Sequence, residues 1–167
     1  PNQPPGQDVT GGFISGFVLS VDDAWFFVTA GHVLATLDRA IEDGAHLQQF
    51  HFIDGLHEKG ASKDPIPFHY PTCRRWILDD AELGLDFAFI ALSPHYVALM
   101  KAKGVRALDE SLWNPKYTYC EHFVLAGSPC HRNTFACSDK DETYTAKFSL
   151  AMSLVQIRPC SPIEALQ

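Results

Sequence analysis

Residues 24–34 read AWFFVTAGHVL, and this stretch decides how the rest of the chain is interpreted. Its first five residues are apolar, three of them aromatic, which predicts a buried β-strand. The small residues Ala30 and Gly31 then let another segment approach His32 closely. A titratable imidazole therefore stands at the end of the most hydrophobic strand. Because side chains anchored on strand ends hold their geometry better than those on free loops, His32 is the first candidate for a functional residue.

Composition limits the classes of protein that need to be considered. The chain has 167 residues, of which 46% are hydrophobic and 20% charged, and this predicts one globular domain or two small lobes with a buried core. The net charge of −7, without any block of five or six like charges, argues against nucleic acid and anionic membranes as partners. No apolar segment approaches the roughly 20 residues that span a bilayer.

The chain begins PNQPPGQDVTGG, a proline-rich and polar stretch. We expect residues 1–10 to be a linker or a cloning boundary. No basic-then-apolar leader is visible in them, so a cytoplasmic location is expected.

Apolar runs bounded by polar residues or glycine predict seven strands. They cover residues 11–20, 24–30, 46–53, 74–80, 86–92, 120–127 and 145–157. The first two are separated by only three residues and should form a β-hairpin. Short helices are predicted at 32–44 and 93–104, and the polar, proline-broken segment 54–72 is predicted to be a surface loop. Many short strands of this kind indicate an all-β fold, in which a closed antiparallel barrel would leave no exposed edge.

Two segments resemble the active-site motifs of trypsin-like (chymotrypsin-fold) serine peptidases. FFVTAGHV at 26–33 resembles the histidine segment of that family, in which a strand ends in Thr/Ser-Ala-Ala/Gly-His. GLDFAFIAL at 84–92 resembles the aspartate segment, D-x-A-x-L-x-L, and its Asp86 follows His32 by 54 residues. The order of histidine before aspartate is also the order of the chymotrypsin arrangement.

Two weaker matches extend the resemblance over most of residues 11–157. ISGFVLS at 14–20 resembles the opening strand of the family, which implies structural roles for Ser15 and Gly16. FVLAGSP at 123–129 resembles a strand of the second barrel. The cysteine that often follows the family's histidine is Val33 here, so the disulfide typical of secreted animal members is absent. The resemblance is therefore to bacterial-type or intracellular members.

The resemblance implies a fold, an activity and two catalytic residues. The fold would consist of chymotrypsin/trypsin-like antiparallel β-barrels with short helices, a complete first barrel at 11–108 and an incomplete second barrel at 109–167. The activity would be hydrolysis of peptide bonds in a polypeptide substrate. His32 would act as general base and acid, and Asp86 would orient it. This chemistry requires no cofactor.

The nucleophilic serine of that mechanism is not found. No serine after Asp86 lies in a G-x-S-G context. Ser128 is followed by Pro129, which lacks the N–H that an oxyanion hole needs, and Cys130 has no flanking glycine. After a predicted loop at 130–144 and the last predicted strand, the given residues end where the serine segment is expected.

Three accounts of the missing serine stay open. The nucleophile lies in residues beyond 167 of a larger serine endopeptidase, or on a second polypeptide produced by internal cleavage. Alternatively, the chain is a catalytically inactive, peptidase-like binding or sensor module that has lost its nucleophile. The partner would be the remainder of its own chain in the first case and another protein in the other two. A G-x-S-G-G segment soon after Gln167 would favour the enzyme.

Cysteine and histidine clusters suggest no metal site. Five cysteines, an odd number without a secretory leader, predict reduced thiols, although one disulfide among the last four stays open. A zinc site would have to combine Cys120, Cys130, His131 and Cys137, and no C-x-x-C pair is present among them. A second cluster contains three histidines, His46, His51 and His57. The first two are an odd number apart and would face opposite sides of a strand, so surface histidines are expected there.

Overall fold

The structure, a computed structural model, describes residues 11–45, 50–54, 64–112, 122–127, 134–138, 143–147 and 151–156. The chain divides into two compact units. One unit is Ile14–Trp113, and the other combines Pro1–Phe13 with Asn114–Gln167.

The described part of Ile14–Trp113 contains six strands and two α-helices. The strands are β1 (Phe17–Val21), β2 (Ala24–Thr29), β3 (Phe50–Phe52), β4 (Ile66–Phe68), β5 (Arg75–Asp80) and β6 (Leu85–Ala91). The helices are α1 (Gly31–Glu42) and α2 (Pro94–Ala102). Four strands form an antiparallel sheet in the order β1-β2-β6-β5, and β3 pairs with β4 in a separate two-stranded sheet.

The predicted hairpin and both predicted helices are confirmed. Asp22 and Asp23 connect β1 to β2 with φ values of 49° and 64°, as the tight turns of β-hairpins require. Helix α1 begins directly after β2 and is followed by Gly44, whose φ of 88° ends the helical path. Helix α2 starts at Pro94, a residue suited to the first helical turn because its missing N–H would have no partner there.

The hydrophobic core lies on one face of the four-stranded sheet. Ala88 and Ile90 of β6 are buried on this face, as the period-2 alternation of a strand dictates. Leu34 of α1 and Met100 of α2 belong to the same buried cluster. Phe68 of β4 also belongs to it, so both helices and the two-stranded sheet cover the same side of the strands.

A polar network fastens the middle of α1 to β5. The Asp38 carboxylate accepts a hydrogen bond of 3.0 Å from Nε of Arg75 and one of 2.7 Å from the hydroxyl of Tyr70. The Arg75 guanidinium also lies 4.7 Å from the centre of the Tyr70 ring. Burial raises the pKa of Asp38, but the hydrogen bonds from Arg75 and Tyr70 outweigh it and leave this pKa below its ordinary value. The carboxylate is therefore ionised and paired at neutral pH.

The second unit contains four described strands, β7 (His122–Gly127), β8 (Thr134–Ser138), β9 (Thr143–Lys147) and β10 (Ala151–Gln156). Strand β10 pairs with β7 and β8 pairs with β9, both antiparallel.

The β-rich, antiparallel character predicted from the sequence is confirmed, and several details differ. The predicted loops 54–72 and 130–144 contain β4 and β8, and the strand predicted at 145–157 corresponds to two strands, β9 and β10. Strand β4 was not predicted because Pro67 interrupts its pattern. Among the described strands β4 pairs only with the short strand β3, and a proline is tolerated in such an edge position. In the described part of the chain the sheets are four- and two-stranded, and none closes into a barrel.

The described helices include none with the length and apolar character needed to cross a membrane.

Candidate functional site

Asp86 contacts His32 with both of its carboxylate oxygens. Oδ1 accepts a hydrogen bond of 2.8 Å from the main-chain N–H of His32, and Oδ2 lies 2.7 Å from Nδ1 of the imidazole. His32 is the second residue of α1 and Asp86 is the second residue of β6. The structure thus brings together the two residues that the sequence singled out, although 54 positions separate them.

The strand register explains this proximity. In the antiparallel pair of β2 and β6, Phe26 lies opposite Ala91 and Thr29 lies opposite Ala88. Continued by two residues, the same register puts Asp86 opposite Gly31, the first residue of α1. The end of one strand, the start of its neighbour and the first turn of the helix therefore meet at one point.

Gly31 makes this close approach feasible. A Cβ at this position would lie 3.0 Å from the carbonyl oxygen of Phe87, 3.1 Å from that of Leu78 and 3.1 Å from Oδ1 of Asp86. These distances are shorter than ordinary contacts of a Cβ, so a side chain here would push against two strands and a carboxylate.

Asp86 also caps α1 from outside the helix. The N-cap residue Ala30 offers no side-chain acceptor, and the first turn of α1 contains no acidic residue. The first N–H groups of a helix lack partners within it, and the N-terminus attracts negative charge. The Asp86 carboxylate, supplied by a neighbouring strand, satisfies both requirements through the N–H of His32.

The hydrogen bonds fix the tautomer of the histidine. An ionised carboxylate can only accept, so Nδ1 of a neutral His32 carries the proton and donates it to Asp86. Nε2 then keeps its lone pair and can accept a proton from another group. The side chain of His32 is 65% exposed, which leaves room for a second molecule or chain segment to reach it.

The pKa of Asp86 is lowered from its ordinary value. The main cause is the hydrogen bond from the N–H of His32, and the bond with the imidazole adds to it. Asp79, the cross-strand neighbour of Asp86, brings a like charge nearby, but the two hydrogen bonds still favour the ionised form of Asp86. At neutral pH the carboxylate is charged and able to stabilise an imidazolium.

Neighbouring contacts hold the end of β2 in place. The Thr29 hydroxyl donates a hydrogen bond of 2.8 Å to the carbonyl oxygen of Ser15. Gly16 contacts the ring of Phe27 and the carbonyl oxygen of Val28 so closely that a Cβ would not fit. These contacts give Ser15 and Gly16 structural roles next to the end of β2.

Sequence reasoning missed the residues that hold α1 on the sheet. No local motif distinguishes Asp38, Arg75 and Tyr70 from other polar or aromatic residues of the sequence. An aspartate on the otherwise apolar side of the predicted helix was the one available signal, because such a side chain needs a partner.

The structure assigns no role in this site to the other cysteine, serine and histidine residues considered from the sequence. Cys120, Ser128, Cys130, His131, His46 and His57 all lie outside the described residues. His51 lies in β3 with an exposed side chain. Within the described ranges, no group of three or more His, Cys, Asp or Glu side chains could hold a metal ion. Cys73 is a free thiol, and burial raises its pKa, which makes it a poor nucleophile.

Comparison of the chain with protein-family models, with curated proteins and with solved structures found no match. Function is therefore inferred from the geometry around His32 and Asp86 and from the sequence resemblance.

Replacing Gly31 by alanine should destabilise the fold. The new Cβ would press against the carbonyl oxygens of Leu78 and Phe87, and these belong to paired strands, whose hydrogen bonds oppose a shift. Overpacking of this kind costs about 1–3 kcal/mol, whereas the gain in helix propensity is at most about 1 kcal/mol. Urea unfolding followed by circular dichroism should show a lower free energy of unfolding for Gly31→Ala.

Gly12→Ala is the matched control, because a Cβ at Gly12 would have no atom within 4 Å. An unfolding free energy for Gly31→Ala equal to that of the control would contradict the close packing described for α1.

Acidification should remove the stabilising contribution of Asp86. Its pKa in the folded chain lies below the ordinary value of 3.8. The contribution of Asp86 to the free energy of unfolding is therefore complete above pH 3.8 and disappears as the pH falls through the folded-state pKa. We expect the difference in unfolding free energy between wild type and Asp86→Ala to be present at neutral pH and to shrink below about pH 4.

Glu42→Ala provides the comparison, since it removes an exposed carboxylate at the other end of α1 and leaves both hydrogen bonds of His32 in place. A difference between wild type and Asp86→Ala that stays constant into strong acid would contradict the role given to the ionised carboxylate.

Proposed function

We propose that the chain is part of a trypsin-like serine peptidase, in which His32 is the general base and Asp86 orients it. The observation that carries this proposal is the 2.7 Å contact between Nδ1 of His32 and the Asp86 carboxylate, together with an exposed imidazole. The resemblance of FFVTAGHV and GLDFAFIAL to the family's histidine and aspartate motifs supports it independently.

The proposed fold is the chymotrypsin/trypsin-like pair of antiparallel barrels. Residues 11–108 would form the first barrel, to which the four-stranded sheet and the β3–β4 pair would belong. Residues 109–167 would form part of the second barrel. Support comes from the antiparallel pairing of every described strand pair and from the position of His32 directly after β2.

The proposed chemistry begins at Nε2 of His32. A serine hydroxyl is a weak nucleophile until a base takes its proton, and Nε2 has the free lone pair for this step. As the serine oxygen attacks the peptide carbonyl, the proton passes to Nε2, and the negative charge of Asp86 stabilises the imidazolium that forms. The imidazolium then gives the proton to the leaving amine, which breaks the peptide bond.

The serine would come from residues beyond Gln167 or from a second polypeptide. The arrangement is supported by the 65% exposure of the His32 side chain, which lets another chain segment reach the imidazole. Polypeptides are the substrate class, and no metal or cofactor takes part in the proposed steps.

A second candidate function is a peptidase-like binding or sensor module without catalysis. The specific observation in its favour is that no serine after Asp86 lies in a G-x-S-G context. In such a module the His32–Asp86 pair would keep its structural role, since Asp86 caps α1 whether or not a nucleophile is present.

Labelling of the full-length protein with a fluorophosphonate probe distinguishes the two functions. The enzyme should form a covalent adduct on serine, and His32→Ala or Asp86→Asn should slow labelling about 10²–10⁴-fold because the general base is lost or misoriented. His95→Ala is the matched control, since His95 is another exposed histidine, which contacts the ring of Tyr96, and its loss should leave the rate unchanged.

Absence of labelling in a correctly folded full-length protein would reject the peptidase and favour the binding module. Labelling that proceeds at the same rate in His32→Ala and in wild type would reject His32 as the base even if the protein is a hydrolase.

A further inference from the structure

An open cavity of about 710 Å³ lies beside the β1–β2 hairpin, entirely within the unit Ile14–Trp113. It is lined by Ser20 of β1 and by Trp25 of β2, which lie opposite each other in the strand pair. Lys101, near the end of α2, and residues of the segment 105–112 line the other sides. We call this cavity the Trp25 pocket. Its volume is within the range of pockets that bind small molecules.

Two buried hydrogen-bond donors of the Trp25 pocket have no acceptor in the described part of the chain. Ser20 is only 8% exposed and Trp25 only 9%. Their main-chain groups are paired, because the N–H of Ser20 bonds to the carbonyl oxygen of Leu108 and the carbonyl oxygen of Trp25 accepts the N–H of Leu92. The Ser20 hydroxyl and the Trp25 indole N–H have no such partner among the described residues. Since buried polar groups are as a rule hydrogen-bonded, these two donors call for an acceptor in the pocket.

Two cationic side chains add further donors. Nζ of Lys101 lies 5.1 Å from the centre of the Trp25 ring, and Arg106 lines the same pocket. Within the described ranges, neither cation is paired with a carboxylate, whereas Nζ of the neighbouring Lys103 lies 3.9 Å from the Asp64 carboxylate. Ammonium, guanidinium and indole N–H groups can only donate hydrogen bonds. The pocket is therefore suited to a ligand that carries acceptor oxygens.

The carboxylates of the pocket limit the charge of that ligand. Asp109 accepts a hydrogen bond of 3.0 Å from the N–H of Ser111, and Glu110 accepts one of 3.0 Å from the N–H of Asp22. Asp23 is a third carboxylate in the lining. Three negative charges against two positive ones repel a dianion more strongly than a monoanion. A single negative charge on the ligand is therefore favoured.

Apolar side chains complete the lining. Val105 and Ala107 are partly buried against the hydrophobic core, and Leu112 is 63% exposed. These three residues offer apolar surface beside the cations, which a ligand with an apolar body can cover.

We propose that the Trp25 pocket binds a monocarboxylate with an apolar body. This chemistry is shared by a free aliphatic acid and by the C-terminal carboxylate of a peptide. The carboxylate would accept hydrogen bonds from Lys101 and Arg106, since a guanidinium matches the two oxygens of a carboxylate. The Ser20 hydroxyl would supply a further donor, and the apolar body would lie against Val105 and Leu112.

This site is separate from the His32–Asp86 pair. Trp25 is the second residue of β2, whereas His32 follows the other end of that strand. None of the residues that line the Trp25 pocket takes part in the proposed peptidase chemistry. Binding in the pocket and catalysis at His32 can therefore fail independently.

NMR titration of the ¹⁵N-labelled 1–167 chain tests the proposal with two acids and their neutral amides. Hexanoate represents a free aliphatic acid, and N-acetyl-leucine represents the end of a peptide. At least one acid should cause saturable shifts of the Trp25 indole N–H and of the main-chain N–H of Ser20. Hexanamide, N-acetyl-leucinamide and inorganic phosphate should bind at least about tenfold more weakly, because they lack the single negative charge. The acid that binds more tightly identifies the source of the carboxylate.

Substitutions then assign the binding to the pocket. The double variant Lys101→Gln/Arg106→Gln should raise the dissociation constant of the tighter-binding acid at least about tenfold. Ser20→Ala should raise it about threefold and leave the midpoint of urea unfolding unchanged, because the hydroxyl has no partner to lose in the described part of the fold. Lys103→Gln is the matched control, since Lys103 is a neighbouring cation that does not line the pocket.

Two outcomes would overturn the proposal. If neither acid causes saturable shifts at Trp25 at millimolar concentrations, or if acids and amides bind equally well, the donors of the pocket serve solvent and not a carboxylate. If the double variant binds the acid as tightly as Lys103→Gln does, the acid binds elsewhere on the chain.

Discussion

The Asp86 carboxylate joins the first turn of α1 to the start of β6, and the candidate site depends on this contact. One oxygen holds the main-chain N–H of His32, and the other holds the imidazole. The same group caps the helix and orients the ring, so a ring that turned away from Asp86 would lose its hydrogen bond at Nδ1 while the main-chain bond remained. The position of the imidazole beside the Asp86 carboxylate thus follows from the way that the helix begins.

Two further constraints keep α1 in position for this contact. Gly31 lets the helix start so close to the strands that a Cβ there would lie 3.0 Å from the carbonyl oxygen of Phe87. Asp38 ties the middle of the helix to Arg75 and Tyr70. The helix is therefore held at its first turn by a charged cap and further along by a partly buried ion pair. A buried ion pair that loses one partner is costly, so this second point resists rotation of the helix on the sheet.

The sequence predicted the elements that carry local patterns and missed those that depend on distant partners. Strand β2, helix α1 and the pairing of His32 with Asp86 followed from apolar alternation, from the glycine after the helix and from two motifs in order. Strand β4 was not predicted because Pro67 interrupts the pattern of a strand. The hydrogen bonds of Asp38 were not predicted because their partners are distant in the sequence. The capping role of Asp86 was also beyond prediction, because it requires the register of β2 and β6.

The tautomer of His32 tests the central claim most directly. Long-range proton–nitrogen NMR correlations on protein labelled with ¹⁵N-histidine distinguish a protonated Nδ1 from a protonated Nε2 in the neutral ring. Asp86 should hold the proton on Nδ1 of His32, and Asp86→Ala should abolish that preference while the fold persists. A neutral His32 that carries its proton on Nε2, or a tautomer unaffected by the loss of Asp86, would contradict the account.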